Sequence, residues 1–367
     1  MSKATLLEHR VLLVSITGLC LLGLPIVLSA SAVSSLTGGS SAYSLFLKQA
    51  AFMAIGTLAA VVASHVSMGV VRKSRVILPL GALALLFAVY LPGVGHVAGG
   101  SSRWIGAGPI QLQPSELMKL AMVVFAADLL ARRAGRPDVG KAVVQPLMIL
   151  LGVAGIMIVK QPDLGTSIVI TCIAFSLMFA AGVPGRMLAS TGGLVALAGA
   201  YLALGAAYRR DRLLSFLHPF AHASSSGYQV AQGLVALGQG SLRGSGIGAS
   251  AATWGYLPNA HTDFVFAVLG GNLGVAGSLA VIAGFGCFAW AGFRVASREK
   301  DPFTRYVAIG ITCWVVAQAV INIGGVIDVL PVTGIPLPFI SYGGSALVVT
   351  MTAAGLLLGI ARRQAVR

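Results

Sequence analysis

GYLPNAHTDFVFAVLGG, residues 255–271, sets an apolar run from Phe264 directly behind His261, Thr262 and Asp263. Read onward, the run reaches about residue 291, which is long enough to cross a bilayer as a helix. An acid at the mouth of a membrane span is costly unless it caps, pairs or reacts. Here it is one of only 10 acidic residues among 367.

The same hydropathy recurs along the chain. It is 57% hydrophobic and 10% charged, with a mean hydropathy of +0.90. Soluble domains carry about a quarter charged residues. The apolar runs are continuous rather than alternating, which excludes a β-barrel reading. The expected architecture is an all-α polytopic membrane protein, one integral domain over 1–367. Spans are expected at 11–33, 45–66, 75–92, 114–132, 143–160, 165–183, 187–207, 263–291, 305–327 and 341–361. Ten helices put both termini on one side. The N-terminal run reads as the first span rather than a cleaved signal, because no small-residue cleavage site follows it.

Charge sets the sidedness. With both termini cytoplasmic, 17 of the 25 basic residues fall on inner segments or inner span edges, as the positive-inside rule requires. The net charge of +15 therefore belongs to the membrane surface and not to nucleic acid. The other 8 are Lys48, Arg103, Lys119, Lys160, Arg209, Arg210, Arg212 and Arg243. Cations on the outer side point to an anionic ligand there, and a phosphate-bearing one fits. The longest loop, about 208–262, is extracytoplasmic on this reading and long enough to be functional. Cys20, Cys172, Cys287 and Cys313 sit inside apolar runs with no CxxC spacing, so they read as small buried hydrophobes. No Walker loop, HExxH or zinc-spaced cluster is present.

Five acids fall on the outer side: Glu116, Asp163, Asp211, Asp263 and Asp328. Asp211 lies between arginines in YRRDR and reads as an ion-pair partner. Asp163, behind Pro162, reads as a turn or cap residue. Glu116 precedes Lys119 by three and can pair with it along a helix. Two roles stay open for Asp263: N-cap of its span, or general base at the water–membrane boundary. Trp104 reads either as an interfacial anchor or as part of a site with Arg103, Gln113 and Lys119. The Pro- and Gly-rich segment 322–346 must line protein or a wet cavity to lie at membrane depth.

Four ordered segments, SRWIGAGPIQLQPSELMKLA, QPDLGTSIVI, YLPNAHTDFVFAVLG and LPVTGIPLPFISYGGSA, resemble the SEDS family, the RodA/FtsW-like proteins. YRRDRLLSFLHPF and GYQVAQGLVALGQGSLRGSGIG resemble its long outer loop, and the likeness runs from about residue 10 to 363. The resemblance implies ten spans and a peptidoglycan glycosyltransferase that polymerises lipid II at the outer face of the bacterial inner membrane. It implies that Asp263 is the family's essential aspartate. Arg103, Trp104, Glu116, Lys119, Lys160, Asp163, Arg209, Arg210, Arg212, Arg243, His261, Thr262, Ser341 and Tyr342 become substrate-binding candidates.

The implied chemistry is an inverting transfer with Asp263 as base and undecaprenyl diphosphate as leaving group. A divalent cation (Mg2+ or Mn2+) is the one cofactor such a leaving group suggests. Implied partners are the nascent glycan strand, membrane lipid, a class B penicillin-binding transpeptidase, and other division or elongation proteins. The chain departs from the family pattern at Thr253, Asn259, Gly271 and Asn272, where a lysine and carboxylates are usual. Two other readings remain. A lipid II flippase needs ionisable groups along a path near mid-span, and Lys119 and Asp128 are the candidates. A non-catalytic scaffold of the division or elongation machinery predicts that Asp263 is dispensable.

Overall fold

The computed structural model describes residues 3–37, 39, 41–98, 101–106, 111–133, 140–205, 211, 215–223, 225, 227–255 and 257–366. In chain order the helices are α1 (Lys3–Thr37), α2 (Ser44–His65), α3 (Met68–Lys73), α4 (Ile77–Ala88), α5 (Pro114–Arg133) and α6 (Gln145–Lys160). They continue with α7 (Leu164–Ala180), α8 (Gly185–Leu204), α9 (Tyr228–Gly240), α10 (Val265–Arg298), α11 (Pro302–Val326) and α12 (Ser345–Val366).

Among the described residues, six helical stretches are long and apolar enough to cross a membrane: Thr5–Thr37, Ser44–His65, Gly140–Lys160, Val265–Arg298, Pro302–Val326 and Ser345–Val366. The protein is a multi-pass membrane protein. Ile77–Ala88 and Leu164–Ala180 are shorter apolar helices inside the expected spans 75–92 and 165–183. The expected spans 114–132 and 187–207 also form helices but are less apolar. α5 carries Glu116, Lys119, Asp128, Arg132 and Arg133, and α8 is diluted by Gly, Ser and Thr.

α5 is nevertheless the centre of the bundle. Most of its side chains are buried, packed between α4, α7 and α11. Leu194, Leu197 and Tyr201 of α8 and Ile55, Leu58 and Val62 of α2 point outward, exposed as lipid-facing side chains are.

The all-α expectation needs one correction. Segment 93–113 is not wholly loop: β1 (Gly95–Ala98) pairs antiparallel with β2 (Ser101–Ile105), Gly95 opposite Ile105 and His96 opposite Trp104. Ile105 and Leu112 then exchange backbone hydrogen bonds of 2.8 Å. Pairing satisfies backbone groups that could not stay open beside the membrane, and it fixes where Arg103 and Trp104 point.

α10 is broken at Gly274, whose φ of 69° and ψ of −164° are open to glycine and to few other residues. A turn behind α9 takes up the freed backbone groups. Ser245 and Gly246 donate to the carbonyls of Gly271 and Asn272 at 3.0 Å, and Val275 donates to Ser241 at 3.0 Å. The segment before Asp263 is thus pinned onto the helix that follows it.

Two buried acids anchor the opposite end of the bundle. Asp128 accepts from Arg72 at 2.8 Å and Arg75 at 3.3 Å, and it is also bonded by Arg132. Glu8 pairs with Arg294 at 3.3 Å and Arg298 at 3.1 Å. Asp128 is therefore the hub of an ion cluster and not a station on a polar path. The residues Leu120–Ala127 that separate it from Lys119 are apolar.

Candidate functional site

The segment between α11 and α12 folds back against the turn that carries HTD, and hydrogen bonds hold the two together. Three consecutive carbonyls accept: His261 from the Tyr342 N–H at 2.9 Å, Thr262 from Ser341 Oγ at 2.6 Å, and Asp263 from Asn322 Nδ2 at 2.8 Å. Asn322 Nδ2 also donates to the Ile335 carbonyl at 2.8 Å, and the Leu337 N–H donates to Ser341 Oγ at 2.8 Å. Asn259, at φ 52°, closes the turn from the other side, its carbonyl accepting from Thr262 at 3.1 Å and Phe264 at 3.4 Å. Asn tolerates that left-handed backbone better than most residues.

The backbone of Asp263 is thus fixed before any ligand binds. The N-cap position of its helix is Phe264, which makes no side-chain hydrogen bond. The Asp263 carboxylate faces a cavity of about 230 Å³. Gly334 lies beside it, at φ 73°, where a Cβ would stand 3.6 Å from Asp263 Oδ2.

Arg103, Trp104, Glu116, Thr262 and Tyr342 line the same cavity, together with Phe52 and Gln113. The opposite wall is organised by Asp163. It caps α7 by accepting from the Thr166 N–H at 3.2 Å, and it also accepts from Gln113 Nε2 at 3.0 Å and Ser115 Oγ at 3.3 Å. Arg103 reaches over this turn. Its Nε donates to the Gln161 carbonyl at 2.9 Å, one Nη donates to the Pro162 carbonyl, and the other lies 4.0 Å from Asp163. A guanidinium has five N–H donors, so capacity remains toward the cavity.

The floor is an ion pair in a dry place. Lys119 Nζ lies 2.7 Å from Glu116 Oε2, with both side chains buried. Lys119 also donates to Gln318 Oε1 at 2.7 Å and sits 5.1 Å from the centre of the Trp314 ring. Gln318 in turn accepts from Trp314 Nε1 at 2.9 Å and donates to the Pro336 carbonyl at 2.8 Å.

Several sequence candidates therefore support the cavity instead of lining it. Lys119 is sealed beneath Glu116, Asp163 is a cap and bracket, and Ser341 is a backbone pin. His261 packs edge-on against Tyr342, ring centroids 5.8 Å apart. Lys160 is exposed at the end of α6, and Arg243 is exposed on the turn over the α10 break; neither lines the cavity. Arg209, Arg210 and Arg212 lie outside the described residues.

Asn322, Gln318 and Gly334 join the site without having been singled out by the sequence pattern. The first two were legible as amides inside an apolar span, which need internal partners. Asn322→Leu is expected to orphan two buried carbonyls, at about 1–3 kcal/mol each. Thermal melting in detergent checks this, and an unchanged melting temperature would show the clamp to be dispensable.

Burial lowers the pKa of His261 from its ordinary 6.5, so the folded protein favours the neutral ring. Stability from this site is present above about pH 6.5 and is lost as pH falls through the lower folded value, because the unfolded chain takes the proton first. Melting from pH 8 to 5 should fall less steeply in His261→Gln than in wild type.

The described residues bring together no group of three or more potential metal ligands. The acids on the cavity wall are Asp263 and Glu116, and Glu116 is tied to Lys119. That donor set does not fit a dedicated protein site for Mg2+ or Mn2+.

Residues 10–366 match the model of the FtsW/RodA/SpoVE family, described as cell cycle proteins. The chain belongs to that family. Among FtsW/RodA/SpoVE relatives, it is 40% identical over 344 residues to a probable peptidoglycan glycosyltransferase FtsW of Mycobacterium tuberculosis. That match covers 94% of this chain and 66% of the relative, so the chain spans about two thirds of that protein's length. It is 35% identical over 353 residues to the corresponding protein of Geobacter metallireducens, covering 96% and 94% of the two chains.

Among solved structures, the fold superposes on a chain of a peptidoglycan synthase complex that coordinates polymerization and crosslinking, with TM-score 0.77, 28% identity and coverage of 96% and 97%. It also superposes on the rod shape determining protein RodA of Thermus thermophilus, with TM-score 0.70, 25% identity and coverage of 96% and 95%.

The departures from the FtsW/RodA/SpoVE pattern can be placed. Gly271 and Asn272 sit in packing at the α10 break and do not line the cavity. A Cβ at Gly271 would come within 3.1 Å of the Ala236 carbonyl, and Asn272 Nδ2 donates to Ser29 Oγ at 2.9 Å. Thr253 Oγ1 is used locally, donating to the Ser250 carbonyl at 2.6 Å.

Proposed function

We propose that this chain is a peptidoglycan glycosyltransferase that polymerises lipid II, with Asp263 as general base. The observation that carries the reading is the clamped HTD turn, which holds Asp263 at a cavity whose other walls bear Arg103, Trp104 and Tyr342.

A carboxylate oxygen of Asp263 takes the proton of the acceptor sugar's 4-hydroxyl. The freed oxygen attacks C1 of the donor sugar, and the C1–diphosphate bond breaks with inversion. Undecaprenyl diphosphate leaves with the bonding electrons, and its charge is met by Arg103 among the preorganised donors. The cavity, at about 230 Å³, is smaller than the ~300–1,000 Å³ of drug-sized ligand sites. It suits the reacting ends of the two substrates, with the lipid tails left in the bilayer.

The topology proposed with this function has ten spans in one integral domain, both termini cytoplasmic, the cavity on the outer side, and residence in the bacterial inner membrane. The arginine-rich end that holds Asp128 and Glu8 then faces the cytoplasm, as the positive-inside rule asks. The partner proposed is a class B penicillin-binding transpeptidase, by likeness to the synthase complex. The flippase reading loses its path, because Asp128 and Lys119 are both held in closed ion clusters.

The test separates chemistry from transport. Purified chain in vesicles is given lipid II, and both glycan strands and lipid movement across the bilayer are followed. Strands are expected; movement without strands would return the flippase.

A further inference from the structure

A second cavity lies at the other end of the bundle, between α1, α2 and α12, with a volume of about 390 Å³. Its walls are apolar along most of their length, including Leu13, Cys20, Met53 and Met351, and Thr57 lines one side with its hydroxyl donating to the Met53 carbonyl. Its end carries His9, His65 and Arg362. Arg362 Nη1 lies 2.7 Å from His65 Nε2 and its Nη2 donates to the Ser64 carbonyl at 3.2 Å. His65 Nδ1 lies 2.8 Å from the Val61 carbonyl, so the ring carries its proton there and accepts from the arginine at Nε2.

Among the described residues, no carboxylate lies within 4.0 Å of His9, His65 or Arg362. Arg294, Arg298, Arg72, Arg75 and Arg132, at the same end of the bundle, all have acids. Arg362 therefore presents positive charge at the mouth of an apolar groove with no acid among the described residues to meet it.

The groove's length identifies what fits. His9 to Cys20, Met53 to His65 and Met351 to Arg362 are each separated by 11 or 12 helical steps, about 17–18 Å at ~1.5 Å per step. One leaflet of hydrocarbon is about 15 Å, half of the ~30 Å core. All three helices thus line the groove over the depth of one leaflet, with the basic groups at the headgroup level.

We infer that this groove holds one anionic phospholipid of the leaflet on the side of the chain ends, its phosphodiester on Arg362, which His65 positions, and an acyl chain between α1 and α2. Basic pockets between membrane helices take such headgroups, and the apolar walls accept the acyl chain in place of the bilayer. The site shares no lining residue with the Asp263 cavity, and its basic end lies a further 12 residues along α2 from Met53. It would tie α1, α2 and α12 together at their common end.

The experiment uses the purified full chain in detergent. Phosphatidylglycerol or phosphatidylcholine is added at rising mole fraction, and bound lipids are counted by native mass spectrometry. One phosphatidylglycerol per chain is expected, held at least tenfold more tightly than phosphatidylcholine and not displaced by inorganic phosphate. Arg362→Gln, which removes the headgroup charge, and Thr57→Trp, which fills the groove from its exposed side, should each weaken it at least tenfold. Melting in lipid-free detergent checks that each variant folds, and either folded variant suffices. Equal retention of the two lipids, retention unchanged in a folded variant, or displacement by inorganic phosphate would overturn the assignment.

Discussion

Asp263→Asn is expected to abolish strand synthesis while leaving the fold intact. Removing a positioned general base typically lowers a rate by about 10²–10⁴-fold, enough to put polymerisation below detection in a gel assay. The amide keeps the shape of the side chain. The clamp on this residue runs through backbone carbonyls, which the substitution does not touch. The melting temperature should therefore stay near that of wild type. Asp263→Glu should also be poor, because an added methylene moves the carboxylate oxygen off its line to the acceptor hydroxyl. Activity in Asp263→Asn comparable to wild type would remove the base from the mechanism.

Lys119→Met is expected to have the largest effect on stability. The ion pair with Glu116 is buried on both sides and lies 2.7 Å across. Removing one partner strands a buried charge and costs about 3–5 kcal/mol. Gln318 would lose a donor as well, and Gln318 braces the Pro336 carbonyl on the cavity wall. The double variant Glu116→Gln with Lys119→Met should recover most of that loss, because no unpaired charge is left behind. A double-mutant cycle of melting temperatures in detergent checks this. Strict additivity would contradict the pair's strength.

The sequence was most informative about hydropathy and about acids. Apolar runs marked where the helices lie, because length and composition are enough to read a span, but α1 starts at Lys3 rather than 11 and α10 runs on to Arg298 rather than 291. Asp263 stood out because an acid at the mouth of an apolar run must have a use. The Glu116–Lys119 spacing gave their pairing directly. What escaped was what only tertiary contact decides. Nothing in GHVAGGSSRWI forces a hairpin, since its polar residues do not alternate cleanly. The role of Lys119 was misjudged for a similar reason: an outward-half lysine reads as ligand-facing until Gln318 and Trp314, some 200 residues on, are seen to cover it. The clamp by Asn322 joins residues 59 apart, a distance that no local pattern reports. Arg103 and Lys160 looked alike as outer cations, but only Arg103 is turned into the cavity by its strand.

The most direct measurement is the stoichiometry of the proposed reaction. Purified chain, with its cognate class B transpeptidase, is given lipid II, and glycosidic bonds and free undecaprenyl diphosphate are counted together. The account predicts one diphosphate released per bond formed, with neither product from Asp263→Asn. Absence of both products from folded wild type in that complex would contradict it.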